Sequence, residues 1–459
     1  MELDTVVRSA VISDGETALP TDIGIKDGRI AALGPRLEAR EVLDVGGLTV
    51  VPGPIDVHTH FENTVGGVPT LDDYESGSRA AAVGGVTTYI NYAFQNPGQK
   101  LTAVVQAERE KADGRSHLDF GLHVVVTDPS AVDFIRELPE LAEQGVTSLK
   151  VFMAGDGLEL SRRSLLVVLG AAAAAGFVVN VHAEDGPIVD HCSAGLRTGG
   201  HRSTRHLPRA RPPEAEGAAI GLIGWYSSLV GCTVYIVHLS SACALDAVRG
   251  ARASGANMYS ETRPAYLFLN SDRYQLPERE ANEYVCWPPL RPAEDQLALW
   301  EAIRAGEIHT YATDHATWEP EHKSGVSTGF DQVAPGMSSI QTSVGLLYSE
   351  GVRRDRLSLR QFVALTSRNP AKLFGLWPRK GTLMVGSDAD LLVLDPDQKF
   401  TIVANQMASK ASFDPFSGWT LAGWPVLSIL RGRVIMKGGE LQQDQPIGQF
   451  QRRGRLQPV

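Results

Sequence analysis

The sequence contains few cysteines, and their positions exclude two common uses of this residue. Only four of the 459 residues are cysteine, at positions 192, 232, 243 and 286. They are scattered without the paired spacing of a zinc-binding motif, and four cysteines in so long a chain do not form a disulfide framework. The composition therefore predicts a protein of a reducing compartment, and we expect a cytoplasmic localisation.

Long apolar runs and an excess of positive charge are missing as well. No apolar run approaches the roughly 18 residues that suggest a membrane span. The N-terminus, MELDTVVRSAVISDGETALP, lacks the basic start and apolar core of a secretory signal. The formal net charge is −10, and the densest basic segment, 202–211, is short and interrupted by histidine and proline. These absences argue against a membrane or a nucleic acid as the partner.

What is present is a change of pattern along the chain. Residues 1–50 and 376–459 carry short β-branched runs separated by glycine turns, as in TDIGIKDGRIAALG. Over residues 51–375, eight apolar strand candidates alternate with helical stretches. The pattern predicts an α/β fold with a TIM-like (β/α)₈ catalytic barrel at 51–375. A small β-sandwich domain would be formed from both termini, by residues 1–50 and 376–459, the latter including a C-terminal tail.

Polar side chains recur where these strand candidates end. The residues at these ends are His58, His60, Lys150, His182, His238 and Asp314. In an extended segment residues i and i+2 face the same side, and the carboxyl ends of barrel strands form one rim. A lone histidine at such a place is most often structural, but six ligand-type side chains on one rim predict a metal centre. Asp56, just before them, is expected to orient one of the ligands.

Lys150 is the informative member of this set. Burial beside several imidazoles lowers the pKa of a lysine, and a neutral amine can add carbon dioxide to become a carbamate with two ligand oxygens. Such a group can bridge two divalent metal ions. The expected ligand sets are His58, His60, Lys150 and Asp314 for one ion, and Lys150, His182 and His238 for the other. A water between the ions would be the nucleophile, and Asp314 would pass its proton to the leaving nitrogen.

The segments that carry these residues resemble the amidohydrolase superfamily, and within it the cyclic amidases, namely hydantoinases and dihydropyrimidinases. The similarity covers nearly the whole chain and includes GPIDVHTHFE, SLKVFMAG, VHAED, YIVHLSS, SETRPAYLFL, TYATDHA and NPAKLFGLWPRKGTLMVGSDADLLVLDPD. The resemblance implies a binuclear zinc site bridged by Lys150 as N6-carboxylysine, with Asp314 as proton shuttle. Manganese, cobalt or nickel also suit these ligands. It implies hydrolysis of a cyclic amide bond in hydantoin or dihydropyrimidine-type rings, which gives N-carbamoyl amino acids.

Three departures from the cyclic amidase pattern mark the candidate substrate contacts. Gly155 stands where members often carry a tyrosine, and Trp287 stands where they have a serine before Pro-Pro. Gln332 lies in DQVAPGMSS, the loop in which members often have Asn-Gly. These changes leave the substrate and its handedness open. Loops 64–70 and 155–160 are expected to shape the pocket for the exocyclic substituent.

Three other functions stay open at this point. An allantoinase would use the same metals on a ureide ring, and SSIQTSVGLLYSEGV is similar to that group. A mononuclear deaminase on the same barrel would not need Lys150. A non-catalytic scaffold related to dihydropyrimidinases would have lost metal ligands, and here each of them is present. The resemblance also implies a homo-oligomer, a tetramer or dimer, and the tail GQFQRRGRLQPV resembles family tails that reach a neighbouring subunit.

Overall fold

The structure, a computed structural model, describes most of the chain. The described residues are 2–13, 18–65, 68–130, 134–155, 157–324, 329–443 and 445–459. Residues 66–67 and 156, which belong to the two predicted pocket loops, lie outside these ranges. Within the ranges, no helix combines the length and the apolar composition that crossing a bilayer requires.

The chain begins with strands that do not belong to the barrel. They are β1 (Leu3–Ser13), β2 (Ala18–Lys26), β3 (Arg29–Gly34), β4 (Ala39–Asp44) and β5 (Thr49–Pro52). β1 pairs antiparallel with β2 and parallel with β4 and β5. Val and Ile residues recur along these strands, as expected for a pleated surface with one buried face.

The barrel follows directly after β5. It starts with β6 (Ile55–Thr59), and a short hairpin of β7 (Thr64–Val65) and β8 (Val68–Pro69) comes next. The other barrel strands are β9 (Thr88–Phe94), β10 (Asp119–Val125), β11 (Ser148–Phe152), β12 (Val178–His182), β13 (Thr233–Ile236), β14 (Met258–Thr262) and β15 (Thr310–Tyr311). They form an eight-stranded parallel sheet in chain order, and a bridge between Thr59 and His315 nearly closes it. The predicted (β/α)₈ barrel is confirmed.

Helices connect the barrel strands and cover their outer face. They are α1 (Tyr74–Val83), α2 (Leu101–Ala112), α3 (Phe134–Glu143), α4 (Arg162–Ala175), α5 (Gly186–Thr198), α6 (Leu207–Ala210), α7 (Pro213–Val230), α8 (Ala242–Ala253), α9 (Pro264–Phe268), α10 (Glu278–Glu283), α11 (Ala293–Arg304), α12 (Pro320–Ser324), α13 (Ile340–Leu346), α14 (Leu359–Val363) and α15 (Asn369–Leu373). Local sequence sets several of their ends. Asp73 caps α1 by accepting a hydrogen bond from the Ser76 N–H, and Gly176 ends α4 in the left-handed region.

After the barrel the chain returns to the first sheet. Strands β16 (Leu391–Thr401), β17 (Thr420–Leu430), β18 (Arg433–Lys437) and β19 (Glu440–Leu441) join β5, β1, β2 and β3 in one hydrogen-bonded sheet, with β4 beside β1. Val7, Ile23 and Val50 share an apolar core with Leu391 and Ile429. The predicted β-domain from both termini is therefore confirmed, while the domain boundaries at 50 and 375 remain our proposal.

The C-terminal tail lies against the floor of its own barrel. The Phe120 N–H donates to the Gln449 carbonyl at 3.0 Å, and the Gln451 N–H donates to the Phe120 carbonyl at 2.7 Å. Arg453 is buried there and donates to Ser148 Oγ at 2.9 Å. The tail predicted to reach a neighbouring subunit thus makes extensive contacts within its own chain, because its backbone continues the pairing of β10.

Candidate metal centre

β6 delivers two histidines to the rim of the barrel. His58 lies within β6 and His60 just beyond it, so both imidazoles face the same side. Asp56 anchors this strand end: it accepts hydrogen bonds from the backbone N–H groups of His58 at 3.1 Å and Thr313 at 3.2 Å. Burial raises the pKa of Asp56 to about 6. Asp56 therefore links β6 to the segment after β15. This link helps to set the position of the ligand residues of both segments relative to one another.

His58, His60 and Asp314 converge on one point. Asp314 Oδ1 lies 3.0 Å from His58 Nε2 and 3.1 Å from His60 Nε2, and all three residues are buried. The other ring nitrogen of His58, Nδ1, donates to Glu261 Oε1 at 2.7 Å. Because a carboxylate accepts that proton, Nε2 presents its lone pair to the cluster. The three side chains thus offer a donor set that fits a divalent cation.

A second pair of histidines lies at the ends of two later barrel strands. His182 ends β12, and His238 lies two residues beyond β13. His182 Nδ1 and His238 Nε2 are 3.0 Å apart, and His182 Nε2 donates to Glu184 Oε2 at 2.8 Å. Arg211 holds the same carboxylate oxygen through its Nη2 at 2.6 Å. Burial would raise the pKa of Glu184, but Arg211 and His182 hold it well below its usual range. An ionised Glu184 therefore orients His182 with its Nδ1 lone pair toward His238.

Lys150 lies in β11 and is buried beside both histidine pairs. Its Nζ is 5.1 Å from the ring centroids of Tyr92 and Phe152, and its side chain is 1% exposed. Among the described residues, none accepts a hydrogen bond from this nitrogen. Burial lowers the pKa of Lys150 to about 7. A buried amine whose pKa is lowered in this way is neutral in a larger share of molecules than an ordinary lysine, and a neutral amine is the form that carbon dioxide can modify.

The cavity enclosed by these side chains is small. It has a volume of about 60 Å³. Its walls are His58, His60, Phe94, Lys150, Phe152, His182, His238, Trp287, Asp314, Ala316, Pro335 and Gly336. We call it the inner cavity. All six predicted ligands line it, so the structure brings together every residue of the set that was picked from strand ends.

A larger cavity of about 470 Å³ adjoins the inner one. We call it the outer cavity. Phe94, Phe152, His182 and Trp287 line both. The two cavities therefore share these four residues as a common wall.

The three predicted substrate contacts fall in different places. Trp287 lines both cavities, and Gly155 lines the outer one, where no side chain from this position enters. The structure does not bring Gln332 to the inner cavity, because this residue is exposed. Pro335 and Gly336 of the same loop occupy the wall instead. The substrate contact expected at Gln332 stays a prediction, because another part of its loop lines the inner cavity.

Sequence reasoning missed the residues that support the ligands. Glu261 ends β14 and Glu184 follows His182 by two positions, so strand-end position could have identified both. Arg263 had no such signal. It is buried, and it donates through Nη1 to Asp314 Oδ2. Burial alone would raise the pKa of Asp314, but His58 and Arg263 hold it well below its usual range, so the carboxylate is ionised.

Another group of carboxylates within the described residues is already neutralised by side chains. Asp119, Asp388 and Asp390 lie close together where the barrel floor meets the terminal sheet. Lys380 Nζ sits among them, 2.7 Å from Asp119 Oδ2 and 2.6 Å from Asp390 Oδ2. This cluster is an internal ion network, and its place for a cation is taken by the lysine ammonium.

The fold and the cluster together define a barrel protein with a rim site able to hold metal ions. The amidohydrolase family matches residues 49–435, and the chain belongs to this family. It is 36% identical to a D-hydantoinase of Geobacillus stearothermophilus, over 98% of this chain and 96% of that protein. A D-hydantoinase of Rhizobium radiobacter is 35% identical over 98% of this chain and 99% of its own length.

Solved structures agree with this placement. The crystal structure of a dihydropyrimidinase from Brevibacillus agri NCHU1002 superposes with a TM-score of 0.94 at 33% identity. The alignment covers 99% of this chain and 100% of that chain. The similarity therefore includes the barrel, the terminal sheet and the tail alike.

Proposed function

We propose that the protein hydrolyses a cyclic amide bond in hydantoin or dihydropyrimidine-type rings and releases an N-carbamoyl amino acid. The observation that carries this proposal is the convergence of six ligand-type side chains on one cavity at the barrel rim. The names of its relatives, D-hydantoinase and dihydropyrimidinase, support the choice of ring. A non-catalytic scaffold would not need these six ligand-type side chains, so their presence together favours an enzyme.

The six ligand-type side chains would hold two divalent ions. Histidine and carboxylate ligands suit zinc, which is the metal that we propose. His58, His60 and Asp314 would hold one ion, and His182 and His238 the other. We propose that Lys150 is N6-carboxylated: its neutral amine adds to the carbon of carbon dioxide, an N–C bond forms as one C–O π bond opens onto oxygen, and the released proton passes to water. The anionic carbamate would supply a ligand oxygen to each ion. When bound, the metals supply Lewis-acid polarisation of the carbonyl and lower the pKa of a water molecule.

The remaining chemistry falls to side chains of this chain. An amide resists hydrolysis because nitrogen donates electrons into the carbonyl, so the leaving nitrogen has to be protonated. The ionised carboxylate of Asp314, close to His58 and His60, supports this role for Asp314. It would accept the proton of the attacking water and return it to the ring nitrogen. Phe94, Phe152 and Trp287 exclude water from the ring faces at the neck between the cavities.

We further propose a cytoplasmic homo-oligomer, a tetramer or dimer. All four cysteines are described, and all are free thiols, which supports a reducing compartment. An apolar stripe on α7 supports self-association: Trp225 and Leu229 are exposed, and Leu222 and Tyr226 on the same face are half-buried. Such a face at helical spacing is suited to packing against another subunit.

A substrate panel tests the proposed reaction. Protein loaded with zinc, manganese or cobalt in the presence of bicarbonate is incubated with hydantoin, 5-substituted hydantoins of both hands, dihydrouracil, allantoin and a cyclic imide. We expect an N-carbamoyl amino acid from at least one hydantoin or from dihydrouracil, detected by chromatography. Turnover of allantoin alone would identify an allantoinase instead. Absence of ring opening with every metal would contradict the proposal.

A further inference from the structure

Two loops from distant parts of the chain supply walls of the inner cavity. The first, between α10 and α11, contributes Trp287, and the second, between α12 and α13, contributes Pro335 and Gly336. The loops touch each other, since the Gly336 N–H donates to the Val285 carbonyl at 2.9 Å. Their separation therefore decides the shape of the space in front of the ligand cluster.

Lys323 on α12 joins the same two loops. Its Nζ donates to the Val285 carbonyl at 3.0 Å and to the Gly336 carbonyl at 2.7 Å. The side chain is 3% exposed, so both bonds are shielded from water. Removal of this donor would leave the buried Gly336 carbonyl without the lysine, while the Val285 carbonyl would keep only the Gly336 N–H. Loss of a partner by a buried carbonyl is costly.

These bonds do not depend on the charge of the lysine. Burial lowers the pKa of Lys323 to about 7. A neutral amine still carries two N–H groups, and the structure presents two carbonyl oxygens to it. The link between the loops is therefore retained in either protonation state.

The second loop has little freedom to compensate for a lost contact. A Cβ at Gly336 would lie 2.7 Å from Ala316 Cβ, so this backbone packs directly on the segment that follows Asp314. The Trp318 Nε1–H also donates to the Pro335 carbonyl at 3.1 Å.

We propose that Lys323 is a positioning residue for ring binding: it holds the Trp287 loop and the Pro335–Gly336 loop at the separation that receives the planar ring. Within the described part of the chain, Lys323 contacts none of the six predicted ligands. Its loss should therefore weaken ring binding and leave metal binding unchanged. The identity of the ring rests on the proposed function, whereas the link between the loops does not.

Two substitutions of similar size separate the hydrogen bonds from the volume of the side chain. Lys323→Met removes the donors, and Lys323→Gln keeps an NH₂ group. With the ring that the wild type opens best, Lys323→Met should raise KM by about tenfold, the effect expected when one buried carbonyl, that of Gly336, loses its donor. Because the lost interaction acts on substrate and transition state alike, kcat should change by less than about threefold. The KM of Lys323→Gln should lie between those of the wild type and Lys323→Met. The metal content of both variants should equal that of the wild type.

Hydrogen exchange of the metal-free protein tests the link without any turnover. In Lys323→Met the amide of Gly336 should exchange at least about tenfold faster than in the wild type, while barrel-strand amides keep their rates. Glu321→Ala, an exposed change on the same helix, is the matched control and should alter neither exchange nor KM.

The outcomes separate this inference from the proposed function. An active wild type together with a wild-type KM in Lys323→Met overturns the inference, and so does unchanged exchange at Gly336. If the wild type opens no ring, the proposed function fails, and the exchange result alone decides whether Lys323 links the two loops. Faster exchange with a raised KM and intact metal content supports the inference in full.

Discussion

At the scale of single residues, the metal proposal depends most on Lys150, because it is the residue whose chemistry must change. Lys150→Ala removes the amine that would become the carbamate. Lys150→Arg introduces a guanidinium, which stays charged and cannot be carboxylated. We expect both to lose ring hydrolysis by roughly 10³-fold, since a shared metal ligand supports several kcal/mol of transition-state stabilisation. Steady-state turnover of the metal-loaded variants measures this loss.

Added short-chain carboxylic acid provides the control for this prediction. Acetate or propionate fits the space left by Lys150→Ala and should restore part of the activity, whereas Lys150→Arg, which still fills that space, should not respond. Full turnover by Lys150→Ala without added acid would show that no carbamate is needed.

Replacement of Glu184 tests whether a hydrogen bond to the outer nitrogen of His182 orients this ligand for the metal. Glu184→Gln weakens the hold on His182 Nε2 and breaks the charge pairing with Arg211. Loss of such a supporting partner typically weakens metal affinity by about 10–100-fold. Titration of metal-free protein with zinc against a competing chelator measures this change.

Glu62→Gln is a suitable comparison for Glu184→Gln. Glu62 lines the outer cavity and pairs with Arg115 at 2.9 Å, away from the ligand cluster. The zinc dissociation constant should stay at the wild-type value in this variant. Equal losses of affinity in both variants would mean that Glu184 has no particular role in orienting His182.

The residues at the site were predictable to different degrees. His58 and His60 could be placed together because side chains alternate along a strand, and barrel strand ends share a rim. Arg263 and Lys323 could not, because their partners are remote in sequence and lie in irregular segments. The loop that contains Gln332 has no periodic pattern, so the residues that face inward there are decided by contacts such as the close approach of Gly336 to Ala316.

At the scale of elements, strand positions were predicted better than the contacts between the two sheets. Apolar runs rich in Val and Ile marked β10, β12 and β13, since a buried parallel strand needs such residues on both faces. The apolar segment before His58 forms two strands that belong to different sheets, a division that the sequence pattern does not predict. β5 belongs to the terminal sheet and β6 to the barrel. That division depends on pairing between β5 and β16, which are far apart in sequence.

The junction between barrel and terminal sheet gives a prediction at this scale. Lys380 is 1% exposed and pairs with carboxylates from both parts, Asp119 of β10 and Asp390 before β16. Lys380→Met would leave the buried Asp390 carboxylate without a cation and Asp119 with Arg431 as its remaining cation. Removing one partner from a buried ion pair typically costs ~3–5 kcal/mol. We expect a clear fall in the free energy of unfolding, measured by urea denaturation.

A more exposed ion pair in the same sheet provides the comparison. Lys26 pairs with Asp4 at 2.9 Å, and its side chain is 28% exposed. Lys26→Met should leave the free energy of unfolding close to the wild-type value, because water screens the pair and solvates the carboxylate that remains. Similar costs for the two substitutions would argue against a role for Lys380 in joining barrel and sheet.

At the scale of the whole molecule, the apolar stripe on α7 bears on assembly. Trp225 is 65% exposed and Leu229 is 75% exposed, values that favour burial against a second subunit. The double substitution Trp225→Glu with Leu229→Glu should shift the mass seen by light scattering toward the 49.5 kDa of one chain. The reason is that paired charges on both copies would repel across a symmetric interface.

Leu297→Glu serves as the matched control for this experiment. Leu297 is 66% exposed on α11, so it tests whether any charged replacement of an exposed leucine changes the mass. The mass of this variant should equal that of the wild type. A wild type that is itself monomeric would contradict the proposed homo-oligomer.

Ring hydrolysis followed during metal titration tests the whole account most directly. Metal-free protein is supplied with bicarbonate and the ring found in the substrate panel, and zinc is added stepwise. The account predicts that the rate of N-carbamoyl product formation rises until two equivalents of zinc per chain are bound and then levels off. Full activity at one equivalent, or no ring opening at any amount of metal, would contradict it.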